Sequence, residues 1–569
     1  MMSKLWSERL NTYLPISSWL PQYKADFFKW DIIAGITLGA FVLPESMAYA
    51  TLAGLPPYFG IYCCLTGCLV FALFTSSKQL VVGPTSALSL MIGASLAVLS
   101  DGNATKWASL AGLTALLVGC ICLLAFFLKL SSLVHYISES ILLGFKAGAA
   151  LTIISTQLPK LFGVEGGGRN FFLKISTLIN HLPNANWTVF LFGMIALLIL
   201  IAGDLILPGK PISLLLVIAS ILVISNSHLV ERGLQITGEI PKGLPSFSKP
   251  SLGLKEIDGV LDLAIACFLM GYIETISAAK TFAAKNNYTV DPRQELISMG
   301  AANIATAFTS AYVVSGGLSQ TTVNDKSGAK SPMSLIFCSL TLAAILLYLT
   351  GFLKNLPEVI LGVIVLHAVS SLIKIKEMRK LYTLSKLEFG IAMTALFGVL
   401  FFGILKGVLV AAILALVLLI RRTAHPVVSR LGKIKGTSLY SDISRHPDNM
   451  ITDQILVLRV ESSILYFNAE YVHERIIAWI RDAGNSAELL VLDLSASPYL
   501  DVEGSKMLVN LSRQLLSQKV TLRVVEALSK VRDILRVQGM EAIVGKISRK
   551  VSIDDAIQEF RSETKNDSN

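Results

Sequence analysis

The chain is poor in charge. Only 15% of its 569 residues are Asp, Glu, Lys or Arg, whereas a soluble globular domain carries about a quarter. The shortfall is local. Ala108 to Leu128, "ASLAGLTALLVGCICLLAFFL", has no charged residue, and a helix of about twenty apolar residues is what crosses the hydrocarbon layer of a bilayer. Similar runs recur between Trp30 and Ile420, and beyond Arg421 the composition becomes that of an ordinary soluble domain. Cysteine supplies no framework. Cys63, Cys64, Cys68, Cys120, Cys122, Cys267 and Cys338 all lie in apolar runs, and none stands at metal-ligand spacing from a histidine. A disulfide scaffold or zinc module is thereby excluded, and the thiols read as small packing residues. The opening "MMSKLWSERLNTYLPISSWLPQYK" lacks an apolar stretch followed by a small-residue cleavage site, so no cleaved signal peptide is expected. Leu5, Trp6, Leu10, Tyr13 and Leu14 lie near helical spacing there and suggest an interfacial helix. No catalytic constellation is present in the sequence, and the chain is not read as an enzyme.

What charge there is falls in order. The net charge of +10 invites a nucleic-acid reading, but the basic residues stand where a membrane protein needs them. Lys4, Arg9, Lys24 and Lys29 precede the first apolar run. Lys78, Lys129, Lys326, Lys330 and the cluster Lys374, Lys376, Arg379 and Lys380 fall in alternate connections, and Arg421 and Arg422 follow the last run. This distribution obeys the positive-inside rule with both termini in the cytosol. The expected protein is integral and multi-pass in the cytoplasmic membrane, with the lipid bilayer and no nucleic acid as partner.

Hydropathy places spans near 30–50, 58–75, 82–99, 107–128, 132–157, 188–207 and 211–226, and again near 258–283, 293–310, 315–329, 332–350, 356–373, 386–403 and 405–422. The expected organisation is a cytosolic segment 1–29, a transmembrane domain 30–424 with repeats 30–228 and 258–424, a soluble domain 435–562 and a disordered tail 563–569. Sequons at Asn103, Asn186 and Asn287 are short enough to arise by chance and carry no weight.

Two pairs of motifs relate the halves. Glu45 opens "ESMAYA" and Glu274 opens "ETISAA", each in the first span of its half. Val81, 36 residues after Glu45, opens "VVGPTSALS", and Val313, 39 residues after Glu274, opens "VVSGGLSQT". Both begin β-branched, break at Gly or Pro and continue with hydroxyls. An odd number of spans per half puts the halves in opposite orientation, which is the inverted repeat of secondary transporters. A helix that starts inside the membrane leaves its first amides unpaired, and such an end carries partial positive charge suited to an anion. Two of them, one per half, would face a common site. Glu45 and Glu274 are then the groups that need explaining, because intramembrane ionisable residues are functional by default. Each could instead be a structural carboxylate paired with Lys146 or Lys280. His135 and His367 lie near span ends and read as interfacial, and Asn303 reads as satisfying groups within its own span.

These residues resemble the sulfate permease (SulP) family of anion transporters over nearly the whole chain. The motifs are "LPESMAYATLAGLPPYFGIY", "GFKAGAALTIISTQLPKLFG", "GEIPKGLPSF" and "DPRQELISMGAANIATAFTSAYVVSGGLSQTTVNDKSGAK". "HPVVSRLGKIKGTSLYSDISRHP" and "SSILYFNAEYV" are similar to the family's lead into a cytosolic STAS domain. The resemblance implies about fourteen spans as a 7+7 inverted repeat with two half-helix spans, divided into core and gate and assembled as a homodimer. It implies an anion site lined by Glu45 and Tyr49 from the first span, Thr85 and Ser86 at one half-helix, and Ser319, Gln320 and Thr321 at the other. Many relatives carry arginine where this chain has Gln320, and glutamine is common where it has Glu45.

An ionised carboxylate beside a bound anion costs desolvation and like-charge repulsion, which uptake of a proton relieves. With Glu45 and Glu274 as coupling groups, the reading is proton-coupled symport of sulfate or a similar small anion, with no cofactor. Alternatives are sodium coupling through Glu274, Thr275 and Ser277, with bicarbonate as cargo, proton-coupled dicarboxylate transport, and an uncoupled exchanger or channel. A membrane-tethered regulatory protein acting through its STAS module is a third class. "DQILVLRVESSILYFN", "ELLVLDLSASPYLD" and "VTLRVVEA" read as strands. Two amphipathic helices, "AEYVHERIIAWIRDAG" and "VEGSKMLVNLSRQLLSQK", alternate with them as in an α/β domain. The domain's turn reads "LDVEGSKML", with Glu503 where soluble STAS proteins carry a phosphorylated hydroxyl and Ser505 beyond the glycine. A regulatory protein docking on this domain is the remaining partner expectation.

Overall fold

A computed structural model describes residues 14–567 except 101–102, 132–138, 169, 208–210, 251–252, 371 and 453. The interfacial-helix reading and His135 therefore lie outside the described residues, apart from Leu14. The chain divides into two compact units between Ile413 and Leu414.

The first unit is helical. Among the described residues six helices are long and apolar enough to cross a membrane, including α1 (Ala25–Leu52), α4 (Ala104–Phe127), α5 (Glu139–Phe162), α7 (Trp187–Ile206) and α9 (Leu254–Lys285). Shorter apolar helices include α2 (Tyr58–Phe74), α8 (Ile212–Ser225) and α12 (Met333–Tyr348). Polar caps set several starts. Asn186 accepts from the amides of Thr188 and Val189, Asn103 accepts from Lys106, and Asp291, followed by Pro292, caps α10 (Pro292–Ala307). Two of the three sequons thus carry helix caps, where a short amide side chain satisfies first-turn N–H groups.

Small residues let the helices close on one another. A Cβ on Gly60 of α2 would collide with the Ser46 carbonyl of α1, and one on Gly144 of α5 with that of Ala392. The helices sort into two groups. α1, α2, α4, α9, α10 and α12 pack among themselves. α5 packs with α13 (Glu358–Ser370) and α15 (Lys386–Phe402), and α13 also touches α1 and α7. Leu191, Ile195 and Leu205 on α7 are exposed, as apolar side chains facing lipid are.

Both interrupted spans are present. The chain runs extended through β1 (Val82–Gly83) into α3 (Ser86–Leu99), and through β2 (Ser315–Gly316) into α11 (Leu318–Lys326). β1 and β2 pair antiparallel, Val82 opposite Gly316 and Gly83 opposite Ser315. Equivalent segments that meet antiparallel belong to halves of opposite orientation, as an inverted repeat requires. Side chains bond the backbone at the crossing. Asn303 donates to the Val314 carbonyl at 3.0 Å and accepts from its amide at 3.0 Å, so it serves the crossing strand as well as Met299 in its own helix. Cys68 Sγ reaches the Val82 carbonyl at 3.0 Å, which makes this thiol more than a packing group.

The second unit contains a five-stranded sheet in the order β4 (Tyr440–Asp442), β3 (Val428–Lys433), β5 (Ile455–Val460), β6 (Leu489–Asp493), β7 (Thr521–Val525). β5, β6 and β7 are parallel, as their connecting helices α17 (Ala469–Asp482) and α18 (Val502–Ser517) demand. Leu456, Leu458, Leu490 and Leu492 face these two helices, and Val457, Leu489 and Val491 face the last helix, α19 (Ile553–Asp567). The domain starts earlier than residue 435, because Val428 pairs with Val460. The stretch 563–567 is helical, not a tail: Ile553, Ala556 and Ile557 are buried against the sheet, and Arg523 bonds Glu563 at 2.8 Å.

Candidate functional site

The half-helices α3 and α11 begin on opposite sides of the β1–β2 crossing. Neither Thr85 nor Gly317 caps its helix with a side chain, so the first-turn amides keep their partial positive charge. The crossing is too tight for a side chain on Gly316, whose Cβ would lie 2.7 Å from the Thr275 Cα. The Gly316 amide donates instead to the Thr275 hydroxyl at 2.8 Å.

A cavity of about 460 Å³ opens at this crossing. Glu45, Tyr49, Thr85, Ser86, Glu274, Ser319 and Gln320 all line it. Glu45 is buried; its Oε1 accepts from Tyr49 at 3.0 Å and Ser319 at 3.1 Å, while Oε2 accepts no hydrogen bond within 3.5 Å among the described residues. Proline 44 precedes it inside the helix. Glu274 Oε2 accepts from Thr85 at 3.1 Å and Ser315 at 3.3 Å. Each carboxylate thus accepts from one hydroxyl of the opposite half's re-entrant segment, Ser319 or Thr85, and from one hydroxyl of its own half, Tyr49 or Ser315. Among the described residues Glu274 makes no ion pair with Lys146 or Lys280, so hydroxyls hold it in place. Gln320 donates to the Pro84 carbonyl at 3.4 Å and leaves Oε1 unpartnered.

Thr321 is set apart from these seven. Its buried hydroxyl accepts from the Val81 amide at 3.1 Å and donates to the Gly317 carbonyl at 2.6 Å. It fastens strand to half-helix and does not line the cavity. The cavity wall also includes Lys146 on α5 and His367 on α13, which the sequence reading gave other roles, and Asp204 on α7, which it did not mark. His367 Nε2 lies 2.7 Å from Asp204 Oδ2. Spacing along the chain carries no sign of this pair, because it joins helices 163 residues apart.

The comparisons agree with this architecture. The model of the sulfate permease family matches residues 28–395, and that of the STAS domain residues 446–553. A probable sulfate transporter of Mycobacterium tuberculosis is 29% identical over 95% of this chain and 96% of its own. The chloroplastic sulfate transporter 4.1 of Arabidopsis thaliana is 30% identical over 96% and 82%. Among solved structures, murine Slc26a9, an anion transporter in an inward-facing state, superposes with a TM-score of 0.88 at 23% identity, covering 97% of this chain and 94% of that one. The transmembrane domain of the cyanobacterial bicarbonate transporter BicA does so at 0.60 and 19%, covering 69% and 98%.

Proposed function

Because the chain belongs to the sulfate permease family and ends in a STAS domain, we propose that this multi-pass membrane anion transporter is a proton-coupled symporter of sulfate or a similar small anion. In this reading it crosses the cytoplasmic membrane fourteen times, keeps both termini in the cytosol and works as a homodimer.

One observation carries the proposal: Glu45, buried at the cavity beside Gln320, has one oxygen bonded to Tyr49 and Ser319, and its other oxygen accepts no hydrogen bond within 3.5 Å among the described residues. An anion entering the cavity is drawn by the amide ends of α3 and α11 and by the hydroxyl of Ser86. An ionised Glu45 repels it; a neutral one does not. The neutral acid also turns Oε2 into an O–H donor for the anion. Each ligand therefore favours binding of the other, and this linkage is reciprocal. Movement of the loaded site between the two sides then carries both together. Glu274 sits equivalently at the other half-helix and is the second coupling group. Sodium has less support, since Thr275, one of its candidate ligands, donates to the Gly271 carbonyl at 2.6 Å and accepts from Gly316.

The test is uptake of labelled sulfate, bicarbonate, succinate and nitrate into proteoliposomes, with and without an inward proton gradient. Sulfate accumulation that follows the proton gradient and ignores sodium is the expected result. Uptake driven by sodium alone, or equilibration without accumulation, overturns the coupling.

A further inference from the structure

Lys146 is a cavity cation with no acid at ion-pair distance among the described residues. Three basic side chains line the wall: Lys374, His367 and Lys146. Lys374 pairs with Glu377 at 2.8 Å and His367 with Asp204 at 2.7 Å. Lys146 makes no hydrogen bond or ion pair among the described residues, and it is half-buried. Its direction follows from helix geometry. Gly144 and Gly148 let α5 pack closely on α15, where added Cβ atoms would strike Ala392 and Leu396. At about 100° per residue, position 146 lies on the opposite face from both, and that face is the cavity wall.

An unpaired ammonium is costly to hold away from bulk water unless something compensates it. Glu274 is within its electrostatic reach but is held by Thr85 and Ser315. The cavity's other positive ends, the first turns of α3 and α11, belong to the group of helices around the crossing. Lys146 stands on α5, in the other group. Resting on the proposed transport reading, we infer that Lys146 is a binding residue for the transported anion, reaching it from the face opposite the half-helices and favouring a dianion over a monoanion. A tetrahedral dianion has oxygens for both faces at once. A single-charged anion is served by the half-helix ends alone and gains less from a second, opposed cation.

The test is titration of the purified full-length protein with sulfate and with nitrate, read as ligand-induced thermal stabilisation, for wild type, Lys146→Met and Lys146→Arg. Lys146→Met should weaken sulfate binding by about tenfold or more, equivalent to about 1.4 kcal/mol. Nitrate binding should change by less than about threefold on the same scale. Lys146→Arg should restore sulfate binding. Adding Glu274→Gln to Lys146→Met should not, whereas recovery in that double variant would make Lys146 only a counter-charge for Glu274 and overturn the inference. Equal losses for both anions, or unchanged sulfate binding, also overturn it and leave proton-coupled symport standing. Sulfate-insensitive wild type that still accumulates nitrate sinks the inference while keeping an anion transporter.

Discussion

Ser319 donates its hydroxyl to Glu45 across 3.1 Å, and Thr85 donates to Glu274 across the same distance. The first bond joins α1 of one half to the half-helix region of the other; the second does the reverse. The two carboxylates are thereby yoked to the β1–β2 crossing from both sides. In the proposed symporter a change of protonation at either one would alter the hydrogen bonding of the segment that faces the anion, so that coupling would need no separate relay.

Glu45→Gln should separate anion binding from the proton. The amide keeps the shape and can still accept from Tyr49 and Ser319, but it cannot release a proton. Proton-driven accumulation should fall by about tenfold or more, while sulfate affinity at low pH stays within about threefold of wild type. The measurement is sulfate-driven acidification inside liposomes. Undiminished acidification moves the coupling to Glu274.

Gln320→Arg should tighten anion binding and slow coupled turnover. Gln320 is buried beside Gly83, whose added Cβ would meet Gln320 Oε1 at 2.9 Å. A longer side chain must therefore turn into the cavity, towards Glu45. A guanidinium there would hold the carboxylate ionised and would hold the anion too. Uptake should lose its dependence on external pH and show a lower KM with a lower maximal rate. An unaltered pH profile would mean that the arginine does not reach Glu45.

Much of this site could be read before any coordinates. Paired acids and paired Gly-, Pro- and hydroxyl-rich breaks at similar spacing located both half-helices, since backbone without intrahelical partners needs such residues to exist inside a membrane. Seven of the eight residues named as binding or coupling groups line one cavity. Thr321 does not, because a half-helix turns about 100° per residue and carries it round to Val81. Lys146, Asp204 and His367 were not legible as cavity residues. They come from three separate helices whose approach is set by glycine contacts and helix packing, which leave no local pattern. In the STAS domain the strands and helices followed their periodicity closely. Its edges did not, since β3 is added antiparallel from a stretch rich in basic and turn residues, and α19 is held by a few apolar side chains and by ion pairs.

Asp554→Asn should loosen α19. Lys433 Nζ bonds Asp554 Oδ1 at 2.6 Å and the Tyr440 hydroxyl does so at 3.0 Å, and the lysine holds this carboxyl below the usual carboxylate range. A depressed folded value stabilises the ionised form, so the contribution is complete above the unfolded value and is lost as pH falls through the folded one. At neutral pH the substitution should cost about 1 kcal/mol, discounted because the pair is partly exposed. Amide hydrogen exchange in peptides from 553–567 of the full-length protein should speed up several-fold. Exchange that matches wild type would mean that Ile553, Ala556 and Ile557 hold the helix without the ion pair.

Ending the chain after Ala424 should leave a transporter that inserts and still binds its anion. Every residue that lines the cavity lies upstream of that point, and the STAS sheet closes its own core from Val428 onward. Uptake should be lower rather than absent, because the domain is joined in sequence to the helix Ile404–Ala424 and supplies no residue of the cavity lining. The turn at the start of α18 bears on how that influence is controlled. Asp501 accepts from the Gly504 amide at 2.8 Å and from the Tyr466 amide at 2.7 Å, so the turn is locked by a cap. Ser505 is fully buried and donates to the Val502 carbonyl at 2.7 Å, which removes it as a site for phosphate transfer. Glu503 is exposed and paired only with Lys506, one turn on; such a pair is worth about 0.5 kcal/mol. Glu503→Ala should therefore leave uptake within about twofold of wild type, while Glu503→Ser would place a hydroxyl on an accessible helix start. The measurement is initial uptake rate per inserted molecule for the full-length, truncated and Glu503→Ala proteins. Complete loss of sulfate binding on truncation would make the STAS domain part of the transport site's support, and the division of labour between the two units would be wrong.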